Sequence, residues 1–400
     1  MTPLDILFVC NKPPFPPKEG GSMAMNQLIE GLADAGNQIK VLSAYSDKYP
    51  VQEHDIPENY RKKTNIELIY FDLKIKPAEV LLNLFSGKSY HVQRFISTDF
   101  EKKLRTVLQD TSFDIVQIET PFMAPYVPVI RKYSRAKIIL RAHNIEHLIW
   151  QRMAQATKRP CKKIFLRHFA RTLENYEKTV VSQFDAVLPI TQHDADFFKQ
   201  HTRRPVKIIP FGVEPIAVAA TAEIPVENAV FHIGTMNWMP NEEGIRWFLK
   251  KVWPRVMRQN PRIKIYLAGR FMPRWLYNMS MKNVIVVGEV PDAREFIRSK
   301  TISVAPLFSG SGVRIKIIES MNLSKAVVST ATGAEGINYT HGKNILIANT
   351  AESFARAIVD LYENPDKASE IGKNARELIQ TQHFHQKIIG ELETFYQEIL

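Results

Sequence analysis

Two cysteines in 400 residues, Cys10 and Cys161, are too few for a disulfide framework and fit a reducing compartment. No apolar run approaches the roughly 20 residues that a membrane span needs. The first such run, Ile6–Cys10, is short and lacks a basic leader, so it reads as a strand and not as a signal peptide. Short-period repeats and low-complexity segments are missing, which argues against solenoids and extended disorder. No Cys/His cluster has zinc spacing, and no GxGxxG follows the first strand, so nothing suggests a dinucleotide oxidoreductase. Acidic residues are nearly absent from 131–171, which holds twelve Lys or Arg against Glu146 alone and so carries most of the net charge of +12.

What is present is a globular composition, 45% hydrophobic and 24% charged, in a chain long enough for two domains. Short apolar strands alternate with helical stretches, the pattern of α/β layers on a parallel sheet. Strands are expected at Asp5–Cys10, Ile39–Ser43, Ile66–Phe71, Ile115–Ile118, Ala136–Arg141, Ala186–Pro189 and Lys207–Ile209. A helix is expected over Met23–Ala35. The small-residue stretch after the Pro210–Gly212 turn reads as a linker. The alternation then restarts at Val230–Ile233, with a helix near Glu242–Met257. Further strands follow at Lys264–Ala268, Val284–Val287, Ser303–Pro306, Val327–Ser329 and Ile345–Ala348. The expected organisation is a first domain over 1–212, a linker over 213–226, a second domain over 227–383, and a helical segment 384–400 that returns to the first domain.

The richest segment is Pro306–Gly336, PLFSGSGVRIKIIESMNLSKAVVSTATGAEG. Its glycines allow close backbone approach and convergent N–H groups, and a helix start adds partial positive charge. Arg314 and Lys316 add full charge, with Glu319 one or two turns on. Donors and cations for phosphates beside a carboxylate for ribose hydroxyls suit a nucleotide diphosphate, as in the donor site of an enzyme that uses nucleotide-activated sugars. His143 lies just past its strand, at the C-terminal sheet edge where ligands gather. Asp194 and Asp196 look like a metal-binding DxD. Residues two apart on a helix diverge by about 200°, however, and Thr191 suits an N-cap, so no metal is assigned.

The segments FVCNKPPFPPKEGG, RAHNIEHLIW, VLPITQHDADFF, IIPFGVEP, HIGTMNWMPNEEGIRWF, SGSGVRIKIIESM and STATGAEGI occur in this order. Together the chain resembles the group 1 (family four) glycosyltransferases, retaining enzymes of the GT-B fold with two Rossmann-like domains facing across a cleft. The resemblance implies a nucleotide diphosphate sugar as donor and a saccharide or lipid-linked acceptor, with no cofactor and no metal. It implies front-face substitution in which the departing diphosphate helps to deprotonate the acceptor. Gly20 and Gly21 would meet donor phosphate and acceptor, His143 the sugar, and Gly288 the base through backbone groups. Gly234, Asn237, Gly312 and Val313 would line the donor, and Glu319 would hold the ribose.

Two departures accompany the resemblance. Ser311 stands where many members carry the first glutamate of the donor motif. The turn after Gly234 lacks the Arg and Lys that hold the diphosphate elsewhere, so Arg314 and Lys316 are expected to take that role. For 131–171 a solvated helical face and an anionic partner both fit, the latter being lipid headgroups or a phosphorylated acceptor. Without aromatic interleaving, nucleic acid is not expected. A cytoplasmic enzyme, peripheral at the inner face of the plasma membrane and serving surface polysaccharide or glycolipid synthesis, is the expectation. A non-catalytic sugar-nucleotide-binding partner and a GT-B epimerase are the alternatives.

Overall fold

The computed structural model describes residues 2–84, 86–214, 225–310 and 312–400. These form two compact units, Met1–Gly212 with His385–Leu400, and Val213–Phe384. The expected linker falls largely on 215–224, outside the described residues, as does Ser311.

The first unit is built on β1 (Asp5–Cys10), β2 (Gln38–Tyr45), β3 (Glu67–Tyr70), β4 (Ile115–Glu119), β5 (Lys137–Ala142) and β6 (Ala186–Pro189). They pair in the order β3-β2-β1-β4-β5-β6, with all neighbours parallel. Such a sheet is covered by helices on both faces, which explains why β1 reads as an almost continuous apolar run. Alternate residues serve the two layers. Leu7 and Val9 join Phe100, Leu104 and Ile130 on one side, while Ile6 and Phe8 join Met25, Leu28 and Leu392 on the other.

The second unit has β7 (Glu227–Ile233), β8 (Ile265–Ala268), β9 (Val284–Gly288), β10 (Lys300–Ala305), β11 (Ala326–Ser329) and β12 (Leu346–Ile347). Their order, β12-β11-β10-β7-β8-β9, reproduces the first sheet when read from its own first strand. Both units are therefore doubly wound, and each has its switch point beside its first strand, where such sheets bind ligands.

Several expected elements differ in detail. The first helix runs Gly20–Asp34 and not Met23–Ala35, so Gly20 and Gly21 form its first turn. Helix propensity argues for leaving both glycines outside. The helix nevertheless begins there, and the Lys12 ammonium lies against the Gly21 backbone, 2.6 Å from where a Cβ would stand. Lys207–Ile209 hydrogen-bonds along β6 but makes no regular strand, flanked as it is by Pro205 and Pro210. The helix expected near Glu242–Met257 is Met239–Trp247, a π turn over Phe248–Val252, and Trp253–Gln259. Pro254 supplies the reason, because it has no N–H to continue the ladder.

The last helix, His385–Ile399, packs on the first helix through Ile388, Ile389, Leu392 and Tyr396. Gly31 makes the close approach possible, since a Cβ there would stand 2.6 Å from His385 and Ile389 atoms. Among the described residues no helix is long and apolar enough to cross a membrane.

Candidate donor and acceptor sites

In the second unit, β7 ends at Ile233 and the chain turns at Gly234. Gly269, which follows β8, sits at φ +136° with its Cα against Gly234; a Cβ there would lie 2.0 Å from the Gly234 carbonyl. A Cβ on Gly234 itself would lie 2.9 Å from both Asn241 Nδ2 and Lys316 Nζ. Lys316 comes from the Ile315–Asn322 helix, and its ammonium donates to Asn241 Oδ1 at 2.5 Å. The Asn241 amide in turn donates to the Thr235 carbonyl at 2.8 Å. Lys316 forms no ion pair among the described residues. Burial, helped by the like charge of Arg314, pulls its amine down to about 7.

Arg314 is the N-cap of that helix and only 5% exposed. Its Nη1 donates to the Gly312 carbonyl at 2.5 Å, and its guanidinium lies 5.4 Å from the Trp238 ring centroid. Gly310 is required beneath it. At φ +98° its missing Cβ would stand 2.9 Å from Arg314 Nη2 and 3.0 Å from Trp238. Val313 is half-buried beside them. Glu319 follows a turn later, half-buried; burial pushes its carboxyl up, while Arg294 pulls it down and Asp292 opposes that pull. The Gly288 carbonyl accepts from Gly269 N–H at 2.7 Å, which fixes the backbone of the Val287–Val290 segment.

Asn237 is exposed and accepts from the Thr235 hydroxyl at 2.6 Å. The structure therefore does not bring Asn237 to Lys316; Asn241, at 3% exposure, is the asparagine that meets it. Below them His232 is fully buried, its Nδ1–H donating to the Val304 carbonyl at 2.9 Å, and burial with Lys316 nearby holds it neutral.

The corresponding edge of the first unit is acidic. His143 Nε2 lies 2.6 Å from Glu119 Oε2, a carboxylate with no exposed surface at the end of β4. His147 Nδ1 lies 2.7 Å from Glu177 Oε2, and the backbone N–H groups of Glu146 and His147 both donate to that carboxylate at 2.9 Å. The Glu146 carboxylate accepts from the Asn144 amide at 3.3 Å. Burial, followed by Glu177, pushes its carboxyl up to about 7, and Asn144 and Lys12 only partly oppose this. Lys12 is held 3.7 Å from Glu19, at the start of the first helix. Asp194 is buried on the first helical turn, its backbone N–H taken by Thr191 Oγ1 at 3.0 Å. Asp196 instead accepts from Gln192 at 2.6 Å, so the two acids are turned to different partners.

Sequence reasoning missed Glu119, Gln117, Glu177 and Lys12. The first two left a trace, since Gln117 and Glu119 are polar alternates in a strand otherwise as apolar as IVQIE. One cation of the basic segment is also not where composition suggests: Arg141 is 1% exposed beside Glu119. Lys162, Arg167 and Arg171 are exposed, and the aromatic face of the same helix packs inward, with Phe169 against Tyr90, His91 and Trp150.

The chain is similar to known proteins over nearly its whole length. Residues 227–364 match the family described as Glycosyl transferases group 1, and residues 19–216 match Glycosyltransferase Family 4. A protein of Klebsiella pneumoniae named "Uncharacterized 44.6 kDa protein in cps region" is 23% identical over 97% of this chain and 98% of its own. Among solved structures, the sucrose-phosphate synthase of Thermosynechococcus elongatus superposes with a TM-score of 0.70 at 16% identity, covering 99% of both chains. A TarM variant of S. aureus, crystallised with fondaparinux, alpha-GlcNAc-glycerol and UDP, gives 0.71 at 13% identity, over 98% of this chain and 100% of that one. Anabaena HepE in complex with UDP gives 0.68 at 14%, over 99% and 100%. With two Rossmann-like units of the GT-B fold and both halves matched, the chain belongs to the group 1, family four glycosyltransferases.

Proposed function

We propose that the protein is a retaining, metal-independent glycosyltransferase that moves a sugar from a nucleotide diphosphate sugar to a saccharide or lipid-linked acceptor. One observation carries the reading. Lys316 is delivered across 82 positions of sequence to the Gly234 turn, the place whose own cations are missing. Two phosphates leaving with about two negative charges need compensation where water is scarce. Lys316 and Arg314 supply it, so the reading requires no metal. Glu319 takes the ribose hydroxyls and the Gly288 segment the base. That HepE was crystallised with UDP, and TarM with UDP and saccharides, supports a donor of this class.

His143 hydrogen-bonds the transferred sugar or the acceptor. With no carboxylate standing as nucleophile, the leaving diphosphate helps to deprotonate the acceptor on the same face. Catalysis then rests on charge stabilisation and orientation. A panel of nucleotide sugars tests this: turnover of at least one, lost in Arg314→Ala, supports it, and unchanged turnover in that variant overturns the assignment. The same panel separates an epimerase, which converts donor without acceptor, and a non-catalytic partner, which turns over nothing.

The acceptor lies at an anionic membrane surface in this reading, with the protein peripheral on the cytoplasmic face. Lys163, Arg167 and Arg171, at four-residue spacing on the Pro160–Val180 helix, with the 67% exposed Ile164 beside them, make a side suited to that contact. The Klebsiella relative named from a cps region is in keeping with a role in surface polysaccharide synthesis.

A further inference from the structure

Behind His143 lies a chain of hydrogen bonds that ends in the last helix. The Tyr396 hydroxyl, fully buried, donates to Gln117 Oε1, and Gln117 Nε2 donates to Glu119 Oε1. The second carboxylate oxygen, Oε2, faces His143 Nε2 at 2.6 Å. Every donor in this chain has only one workable direction. A phenol donates to an amide oxygen, which turns the amide NH₂ toward the carboxylate; an ionised carboxylate only accepts. The guanidinium of Arg141, paired in register with Glu119 on the next strand and almost fully buried, supplies the positive charge that suits an ionised Glu119. The Cys10 thiol, Glu119's register partner on β1, is itself pushed up by burial and by Glu119 and adds no charge.

We propose that Glu119 is a positioning residue: it holds His143 with Nε2–H on the buried carboxylate and leaves Nδ1 for the sugar or the acceptor, while Gln117 and Tyr396 lock Glu119 in that pose. The proposal rests on the reading of His143 as a site residue. A second group bonded to one ring nitrogen decides which tautomer the other presents. In a Glu119→Gln variant the Tyr396–Gln117 chain keeps the new amide oxygen toward Gln117. Its NH₂ then faces His143, and the ring is driven to the opposite tautomer.

Long-range ¹H–¹⁵N correlation spectra of the full-length protein, with His143 assigned by its loss in His143→Gln, read the tautomer without any substrate. Wild type is expected as Nε2–H and Glu119→Gln as Nδ1–H. With a turned-over donor, Glu119→Gln is expected to lower kcat about 10- to 100-fold with the donor KM within about twofold. Glu119→Asp should regain part of that, and Tyr396→Phe should lose only severalfold. A wild-type Nδ1–H tautomer overturns the proposal, as does Glu119→Gln with wild-type kcat. If Glu119→Gln fails to fold beside Arg141, the wild-type spectrum and Tyr396→Phe still decide it. Wild-type turnover in His143→Ala would instead overturn the reading of His143 itself and leave the tautomer result standing.

Discussion

The two units share one strand order but carry opposite charge at the same sheet edge. In the second, the edge past β7 offers Lys316 and Arg314 with neutral Asn241 and glycine backbone between them. In the first, the edge past β4 and β5 offers Glu119, Glu146, Glu177 and Asp194, tempered by Arg141, His143, His147 and Lys12. A doubly wound sheet gathers ligands at this edge whatever its chemistry. The difference therefore lies in the side chains alone: one edge suits an anion, the other a ligand rich in hydroxyl donors. Function here is grafted on a repeated frame and not read from it.

The largest expected effect comes from abolishing the contrast. Lys316→Met removes the cation at the Gly234 turn and should lower kcat/KM by about 10²- to 10³-fold, the scale for losing one stabiliser of transition-state charge; steady-state kinetics with the active donor check it. Next is pH. The Lys316 amine titrates near 7, so it is charged below that and neutral above it in the free protein. A diphosphate bound above pH 7 must bring a proton with it. Affinity for a nucleoside diphosphate should accordingly fall with rising pH between 7 and 9, by up to about tenfold per unit. Calorimetry in buffers of different ionisation heat should show proton uptake in wild type and none in Lys316→Met.

A smaller effect is expected on the acidic edge. Glu146 holds its proton up to about 7 in the folded chain, well above the unfolded value. The stability tied to that proton is present below the unfolded pKa and is lost as pH rises through about 7. Glu146→Gln should thus be more stable than wild type at pH 8, by about 1 kcal/mol, and no more stable near pH 4.5; denaturation at the two pH values reads the sign. The smallest change belongs to the surface. Arg167→Glu with Arg171→Glu should reduce sedimentation with anionic vesicles at low salt and leave thermal stability within about 0.5 kcal/mol.

Much of the second site was legible because its parts are sequence-local. The glycines, Arg314, Lys316 and Glu319 share one segment, and the gap after Gly234 pointed to cations from elsewhere. That segment could not say which asparagine receives Lys316. Asn237 precedes the helix that starts at Met239, whereas Asn241 lies within its first turn and is buried there. The first site was less legible, since Glu119, His143 and Tyr396 meet only through strand order and a returning helix. A glutamate closing a strand looks like any edge polar residue until its neighbours are placed. Helix propensity also misplaced Gly20 and Gly21, which the Gly20–Asp34 helix takes into its first turn.

The Tyr396–Gln117 bond bears on how the chain is made. Synthesis proceeds from the N-terminus, and domains ordinarily fold as they emerge from the ribosome. Here Leu392, Phe395 and Tyr396 belong to the core of the first unit but are translated after the whole of the second. The second unit, uninterrupted in sequence, is therefore able to complete itself while the older one still waits, with Met25, Leu28 and Leu32 uncovered, for the returning helix to arrive.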